Sequence, residues 1–166
     1  MTLNIQSLWK PIRKLIVTAT FLVTYMYLAI PVRTEIANSL KSYVKENKSE
    51  DVIVISELAR SIVLGEKYSF YEYRIRIPFS KNFVFGVIGL IFLSAEKRFF
   101  FAEAITQLVC GMIIFTTAVI GISNATYFLI ISDLFSVYFL PLSSLLMVVL
   151  AFREKKSHLT KLIDEE

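Results

Sequence analysis

The segment YEYRIRIPFSKNFVFGVIGLIF, residues Tyr71 to Phe92, joins two different patterns. Its first part alternates apolar and polar side chains, which is typical of a β-strand with one buried face. Pro78 ends that pattern, because proline has no N–H group to donate to a strand ladder. The residues that follow are so apolar that they belong in a protein core or a bilayer. The segment therefore predicts a polar strand that leads directly into a membrane helix.

The composition of the whole chain favours the membrane. Of its 166 residues 55% are hydrophobic, and the mean hydropathy is +0.62. The apolar residues come in long blocks within a chain that has room for one domain. The net charge of +4 does not indicate nucleic acid, since the basic residues mostly flank these blocks. A single cysteine, Cys110, excludes an internal disulfide and a cysteine-built metal site, and we expect no cofactor.

Four apolar blocks predict an α-helical integral membrane protein with four transmembrane helices. The first block, residues 15–32, has the length of a hydrocarbon core of roughly 30 Å, and we interpret it as an uncleaved anchor. The other three helices lie within residues 81–152. The second is short, so its basic ends must reach towards the headgroups or the bilayer must thin. Gly86 and Gly89 within it leave room for another helix to approach closely.

The positions of the lysines and arginines predict the orientation. Basic residues lie before the first block, between the second and third blocks, and after the fourth. With four spans these three clusters fall on one side of the membrane. We therefore expect a cytoplasmic N-terminus (residues 1–14) and a cytoplasmic charged tail (residues 153–166).

Residues 33–80 then form a small extracytoplasmic α+β cap between the first and second helices. Ile36, Leu40 and Val44 recur every four residues, which predicts a helix with one narrow apolar stripe, and Thr34 is a candidate N-cap. The segment is too short for a robust core of its own. We expect its stripe to pack on its own strands and on the membrane surface.

The last strand of the cap is the first candidate site. Tyr73 lies on one face, and Arg74 and Arg76 lie on the other. One interpretation is that interfacial aromatics and arginines contact lipid headgroups. The other is that the two guanidinium groups present a bidentate surface to a partner or an anionic substrate. We assign Tyr73, Arg74, Arg76 and Asp133 to a partner-binding surface, with Asp133 paired to a cap arginine such as Arg76 or to a partner's span.

Polar residues inside the predicted spans form the second candidate site, because ionisable groups in a bilayer usually face other protein. These residues are Glu103, Gln107 and Asp133. Glu103 has two interpretations: an interfacial carboxylate paired with Lys97 and Arg98, or part of a polar stripe with Thr106, Gln107 and Cys110. Asp133 is interpreted as a helix-interface hydrogen-bonding group or as the partner contact above. Pro141 is expected to bend the last helix, with nearby serine hydroxyls satisfying freed backbone groups.

The residue set does not favour an enzyme. Cys110 is predicted to lie within the bilayer, where desolvation disfavours its reactive thiolate. His158 lies in the charged tail, too far along the chain to act as its base. Glu103 and Asp133 are expected near opposite faces of the membrane. No catalytic residue is therefore predicted.

The chain combines an N-terminal anchor with an outside segment that ends in RIRIPFS. This segment is followed by the apolar segments FGVIGLIFLSA and FLPLSSLLMVVLAF. In this architecture the chain resembles small membrane proteins encoded beside exosortases, the transpeptidase-like enzymes that process proteins with a C-terminal sorting signal. The resemblance covers about the last 90 residues. Cys110 and His158 depart from the exosortase pattern itself. The resemblance implies a bacterial inner membrane and an accessory role beside a processing enzyme.

Two functions follow from these patterns. The first is a non-catalytic accessory subunit that binds another integral membrane protein through its cap and its intramembrane polar residues. The second is a small transporter or channel component, assembled as a homo-oligomer, with a polar path along the third and fourth helices. Both place the protein in a lipid bilayer without nucleic acid.

Overall fold

The computed structural model describes residues 5–58, 61–67 and 70–164, which are mostly helical with one small sheet. The predicted N-terminal segment, cap and tail thus each include a few positions outside the described residues. The elements in chain order are helix α1 (Ile5–Thr24), a π-helical turn (Tyr25–Ala29), α2 (Ile30–Asn47), strands β1 (Val52–Leu58), β2 (Ser61–Glu66) and β3 (Glu72–Arg76), helices α3 (Lys81–Leu93), α4 (Lys97–Ser123) and α5 (Tyr127–Leu134), a second π-helical turn (Phe135–Phe139), and α6 (Leu140–Asp164).

Three helical stretches among the described residues are long and apolar enough to cross a membrane. They are Trp9–Asn47, Lys97–Ser123 and Tyr127–Ser157, and they are compatible with a multi-pass membrane protein. The second predicted span corresponds to α3, an apolar helix of 13 residues. At 1.5 Å per residue α3 covers about 20 Å, which is less than a typical hydrocarbon core. Three helical stretches of membrane length are therefore found among the described residues, and the four spans that we expected are not confirmed.

The first helix continues through the predicted boundary between anchor and cap. Arg33 and Thr34 lie inside it, and the Thr34 hydroxyl donates to the Ile30 carbonyl at 2.9 Å instead of capping a new helix. The reason is the π-helical turn that precedes Pro31, in which the Ile30 N–H bonds to the Tyr25 carbonyl. This wider turn lets the chain pass a proline without ending the helix. The helix therefore does not end at residue 32, where we placed the boundary between anchor and cap, and the extent of the anchor within a membrane stays a prediction.

The last long helix passes its proline in the same way. The second π-helical turn ends at Phe139, two residues before Pro141. The hydroxyls of Ser143 and Ser144 both donate to the Leu140 carbonyl, at 3.0 and 3.4 Å. A proline in a helix frees the carbonyl of the residue four positions before it, and for Pro141 that residue is not Leu140. We had predicted that the serine hydroxyls satisfy the freed carbonyl, and their bonds to Leu140 do not do so.

The sheet has the order β1-β2-β3, with both pairs antiparallel. Tyr73 and Ile75 are buried, as is Ile77 directly after β3, while Arg74 is exposed. The alternation read from the sequence is thereby confirmed. The buried face joins a single core with residues of α2, α4 and α5, which include Leu40, Val44, Ile114, Ile122 and Leu129. The cap is therefore packed on the protein's own helices, contrary to our expectation that it would have little beyond its own strands and the membrane surface to pack on.

Helix α3 packs closely against α6 through two glycines. A Cβ atom on Gly86 would lie 3.0 Å from the Ser144 Cβ atom, and one on Gly89 would lie 3.1 Å from the Val148 Cγ2 atom. The expectation that these glycines permit a close helix approach is confirmed. The approach brings the serines of α6 within reach of α4, where the buried polar groups lie.

Candidate functional site

The junction between cap and helices begins at β3, which is an edge strand of the sheet. The Arg74 N–H donates to the Asp133 Oδ1 atom at 2.7 Å, and the Ser136 hydroxyl donates to the Arg74 carbonyl. Two side chains from α5 and the following turn thus satisfy both backbone polar groups of one residue on the sheet edge. Asp133 was predicted to pair with an arginine side chain such as Arg76. It binds the backbone N–H of Arg74 instead.

The outer face of the sheet carries the two predicted arginines. The Arg74 side chain is exposed and lies 3.6 Å from the Glu72 carboxylate, while Arg76 is half-buried. On the same outer face, but on β1 across the intervening strand β2, Ile53 and Ile55 are 41% and 47% exposed. Tyr73, which we had assigned to the same surface, is only 6% exposed and belongs to the core. The period-two alternation of a strand places it on the face opposite the arginines.

Glu103 is the centre of a second, enclosed polar cluster. Its side chain is 0% exposed, and its Oε1 atom accepts from the Ser144 hydroxyl at 2.6 Å and from the Gln107 amide at 3.1 Å. Its Oε2 atom has no hydrogen-bond partner among the described residues. The interpretation of Glu103 as an interfacial carboxylate paired with basic side chains was wrong, because α6 packs over it. The polar-stripe interpretation fits, since Gln107 and Cys110 are buried with it.

Gln107 links this cluster to the cap. Its Oε1 atom accepts from the Phe79 N–H at 3.1 Å, and its amide nitrogen also lies 3.3 Å from the Leu140 carbonyl. Phe79 has a φ angle of 55°, in the left-handed region that is unfavourable for a bulky residue. The bond from Gln107 therefore helps to hold a strained connection between β3 and α3.

Two further residues complete the network, and the sequence analysis did not single them out. The Tyr25 hydroxyl donates to the Phe79 carbonyl at 2.8 Å and accepts from Arg33 at 3.0 Å. Arg33 is buried and also donates to the Ile77 carbonyl at 3.2 Å. The signal in the sequence was an arginine just after an apolar block, with a tyrosine two turns earlier. The network thus runs from Arg33 through Phe79 to Glu103, and it joins α2, the cap, α4 and α6.

An apolar cavity of about 300 Å³ lies beside this network, between the first helix and α4. Arg33 and Gln107 are its polar lining residues. The rest of the lining is apolar and consists of Ala29, Val32, Ile36, Ile77, Pro78, Phe79, Leu108, Gly111, Met112 and Phe115. None of the 18 consecutive residues that form the most apolar part of the helical stretch Trp9–Asn47 is buried inside the protein. This helix therefore leaves much of its apolar surface to lipid or to a second protein.

Cys110 is buried in the core, and the side chain of His158 is outside the described part of the chain. The described residues include no group of three or more His, Cys, Asp or Glu side chains placed to hold a metal ion. In the cap, burial and the negative charges of Glu66 and Asp133, with a contribution from Tyr71, raise the pKa of Tyr73. A neutral phenol packed in the core is the form that the fold favours.

Comparison with protein-family models, with curated proteins and with solved structures finds no match to this chain. The resemblance to exosortase-associated proteins stays a prediction. The function must be argued from the geometry above.

Proposed function

We propose that this protein is a non-catalytic subunit of a membrane complex, which binds its partner through the outer face of its sheet. In this proposal α3 joins the three longer helices as a fourth span, and both termini lie in the cytoplasm. The observation that carries the proposal is the outer sheet face, which presents two arginines on β3 and two exposed isoleucines on β1. Arginines beside apolar groups are typical of the central residues of protein interfaces.

The hydrogen bonds of the polar residues in the spans support this proposal. Glu103 and Gln107 bond to each other and to α6, and Asp133 bonds to the backbone of β3. These bonds fix the sheet on the helices and hold its outer face in one orientation. A rigid surface loses less conformational entropy on binding, which favours a stable complex.

The experiment is affinity purification of the full chain from its native membranes in mild detergent, with quantitative mass spectrometry. The test variant is Arg74→Glu with Arg76→Glu, and the control is Lys41→Glu with Lys48→Glu, which changes the net charge of the cap equally. We expect one integral membrane protein to co-purify in stoichiometric amount, and its recovery to fall at least roughly tenfold in the test variant alone. Equal recovery with all three proteins, or no partner in any preparation, would contradict the proposal.

The alternative of a small oligomeric transporter has less support. Its predicted path residues are Glu103, Gln107 and Asp133. Glu103 and Gln107 are enclosed between α4 and α6 and bonded to each other, and Asp133 is bonded to the backbone of β3. A proteoliposome assay distinguishes the two functions. Flux of an ion or small solute that is lost in Glu103→Gln would favour the transporter and overturn the subunit proposal.

The resemblance in the sequence suggests the class of partner. We propose an exosortase-type processing enzyme of a bacterial inner membrane, with this protein as its accessory subunit. Deleting the chain is then expected to reduce maturation of proteins with a C-terminal sorting signal. Unchanged maturation would exclude an exosortase-type partner. The subunit proposal itself would still be decided by the purification experiment.

A further inference from the structure

A large basic cavity lies at the opposite end of α4 from the sheet. It has a volume of about 830 Å³ and is lined by five basic residues from three helices. They are Lys10, Arg13 and Lys14 of α1, Lys97 of α4 and Lys155 of α6. No acidic side chain is among its lining residues in the described part of the chain. A concentration of positive charge in a concave site raises the local concentration of anions.

Two of these lysines are fixed by the C-terminal end of α3. Lys14 donates to the Phe92 carbonyl at 2.6 Å, and Lys155 donates to the Leu93 carbonyl at 2.9 Å. Ammonium groups are favourable there, because the last carbonyls of a helix carry partial negative charge. Each ammonium has three N–H donors, so both lysines retain donors for a ligand.

The acidic residues nearby in the chain are engaged by a different base. Arg98 lies 3.2 Å from the Glu96 carboxylate and also contacts the Glu154 carboxylate. Arg98 does not line the cavity. Glu96 and Glu154 line a smaller neighbouring cavity that Lys155 also borders, whereas the other four bases line only the large cavity, which has no carboxylate among its lining residues in the described part of the chain.

The cavity also has an apolar wall, formed by Val17, Leu90, Ile91 and Phe100. The core that α4 shares with the sheet extends from Cys110 to Ile122, which is about 20 to 37 Å along the helix from Lys97, a range that includes the thickness of a hydrocarbon core. If the sheet lies at one membrane surface, the basic cavity lies at headgroup depth on the other. Trp9, 62% exposed, is close by in the chain, and tryptophan favours that depth.

We propose that this cavity binds the phosphate group of an anionic phospholipid, with the acyl chains against its apolar wall. Basic pockets between membrane helices on the cytoplasmic side bind such headgroups. The volume and the apolar wall favour a lipid over a free phosphate ion, which would need the basic residues alone. This site is separate from the outer sheet face, and it does not depend on the identity of a protein partner.

The test is native mass spectrometry of the full chain, purified in mild detergent and supplied with phosphatidylglycerol or with phosphatidylcholine. The test variant is Arg13→Gln with Lys97→Gln, which leaves the bonds of Lys14 and Lys155 to α3 intact. The matched control is Arg153→Gln with Lys156→Gln, which removes the same charges outside the cavity lining. At about tenfold per 1.4 kcal/mol and about 1 kcal/mol per base, we expect the test variant to bind phosphatidylglycerol roughly 30-fold more weakly.

Equal weakening in the test and control variants would overturn the proposal, and so would equal retention of the two lipids by the unaltered protein. Inorganic phosphate is the second arm. If the cavity binds inorganic phosphate but not phosphatidylglycerol, the proposal that its ligand is a phospholipid would be overturned. If the test variant does not fold, a photoactivatable phosphatidylglycerol on the unaltered protein replaces it. Crosslinks at the residues of α1 and α4 that line the cavity would support the site, and crosslinks elsewhere would overturn it.

Discussion

The Asp133 carboxylate accepts a hydrogen bond of 2.7 Å from the backbone N–H of Arg74, so a membrane-length helix is bonded to the edge strand of the cap. An unpaired strand edge can recruit other strands, and side chains that satisfy it prevent this. Here the helix also orients the strand, because the Ser136 hydroxyl binds the carbonyl of the same residue. The arginine side chains of β3 are held on the opposite face from the core as a result.

Replacing Asp133 with alanine should destabilise the protein by about 1 kcal/mol, because the bond is partly exposed. Asp133→Asn should lose less, since its side-chain oxygen can still accept from Arg74. Thermal unfolding in detergent, followed by circular dichroism, measures both changes. Equal losses for the two variants would mean that the charge of Asp133 matters and the hydrogen bond does not.

Replacing Glu103 tests the enclosed polar cluster. Glu103→Ala should cost about 2–4 kcal/mol, because it leaves a cavity and removes the acceptor of Ser144 and Gln107. Glu103→Gln should be at least as stable as the unaltered protein, since it keeps one acceptor oxygen and removes any buried charge. Thr106→Val is the control, because that hydroxyl bonds only to the Ala102 carbonyl of its own helix among the hydrogen bonds of the described residues. A large loss in Glu103→Gln would show that the ionised carboxylate is needed.

The two glycines of α3 should respond differently to alanine. At Gly86 the new methyl group would lie 3.0 Å from the Ser144 Cβ atom and 3.5 Å from its backbone, so the helices must separate. We expect Gly86→Ala to cost about 1–3 kcal/mol. At Gly89 the nearest atom is a methyl group of Val148, which can rotate, and alanine also favours the helix. Gly89→Ala should therefore be close to neutral in the same unfolding assay. A reversed order would contradict the packing of α3 on α6.

The pH dependence of stability should contain a contribution from Tyr73. Its pKa is raised above the ordinary value of 10.0 chiefly by burial, so the unfolded chain loses this proton first as pH rises. The stability from this group is complete below pH 10 and is lost as pH rises towards the folded-state pKa. Unfolding midpoints at about pH 8 and about pH 11 should differ less in Tyr73→Phe than in the unaltered protein. Tyr71→Phe removes a phenol that contributes to the raised pKa of Tyr73, so its effect should have the same direction but be smaller. An equal fall in all three proteins would exclude Tyr73 as a cause.

Local patterns in the sequence predicted much of the fold. The alternation around Tyr73 and Ile75 identified the buried face of β3, because a strand turns successive side chains to opposite sides. Long apolar blocks identified the helices. The continuation of the helix past residue 32 was not predicted, because Pro31 and the charged Arg33 indicate a helix end by local rules. A π-helical turn bypasses those rules, and the bonds of Arg33 to Tyr25 and Ile77 compensate its burial.

The sequence by itself determined which segments enter an apolar environment and which strand face is buried, because both depend on side chains near one another in the chain. Only the tertiary structure decided which polar groups meet. Glu103 and Ser144 are 41 residues apart, and Arg74 and Asp133 are 59 apart. Such pairs depend on how helices lie against one another, and a hydrogen bond between distant residues leaves no periodic trace in the sequence. Close packing at Gly86 brings α6 into place, and the polar residues of α4 find their partners there.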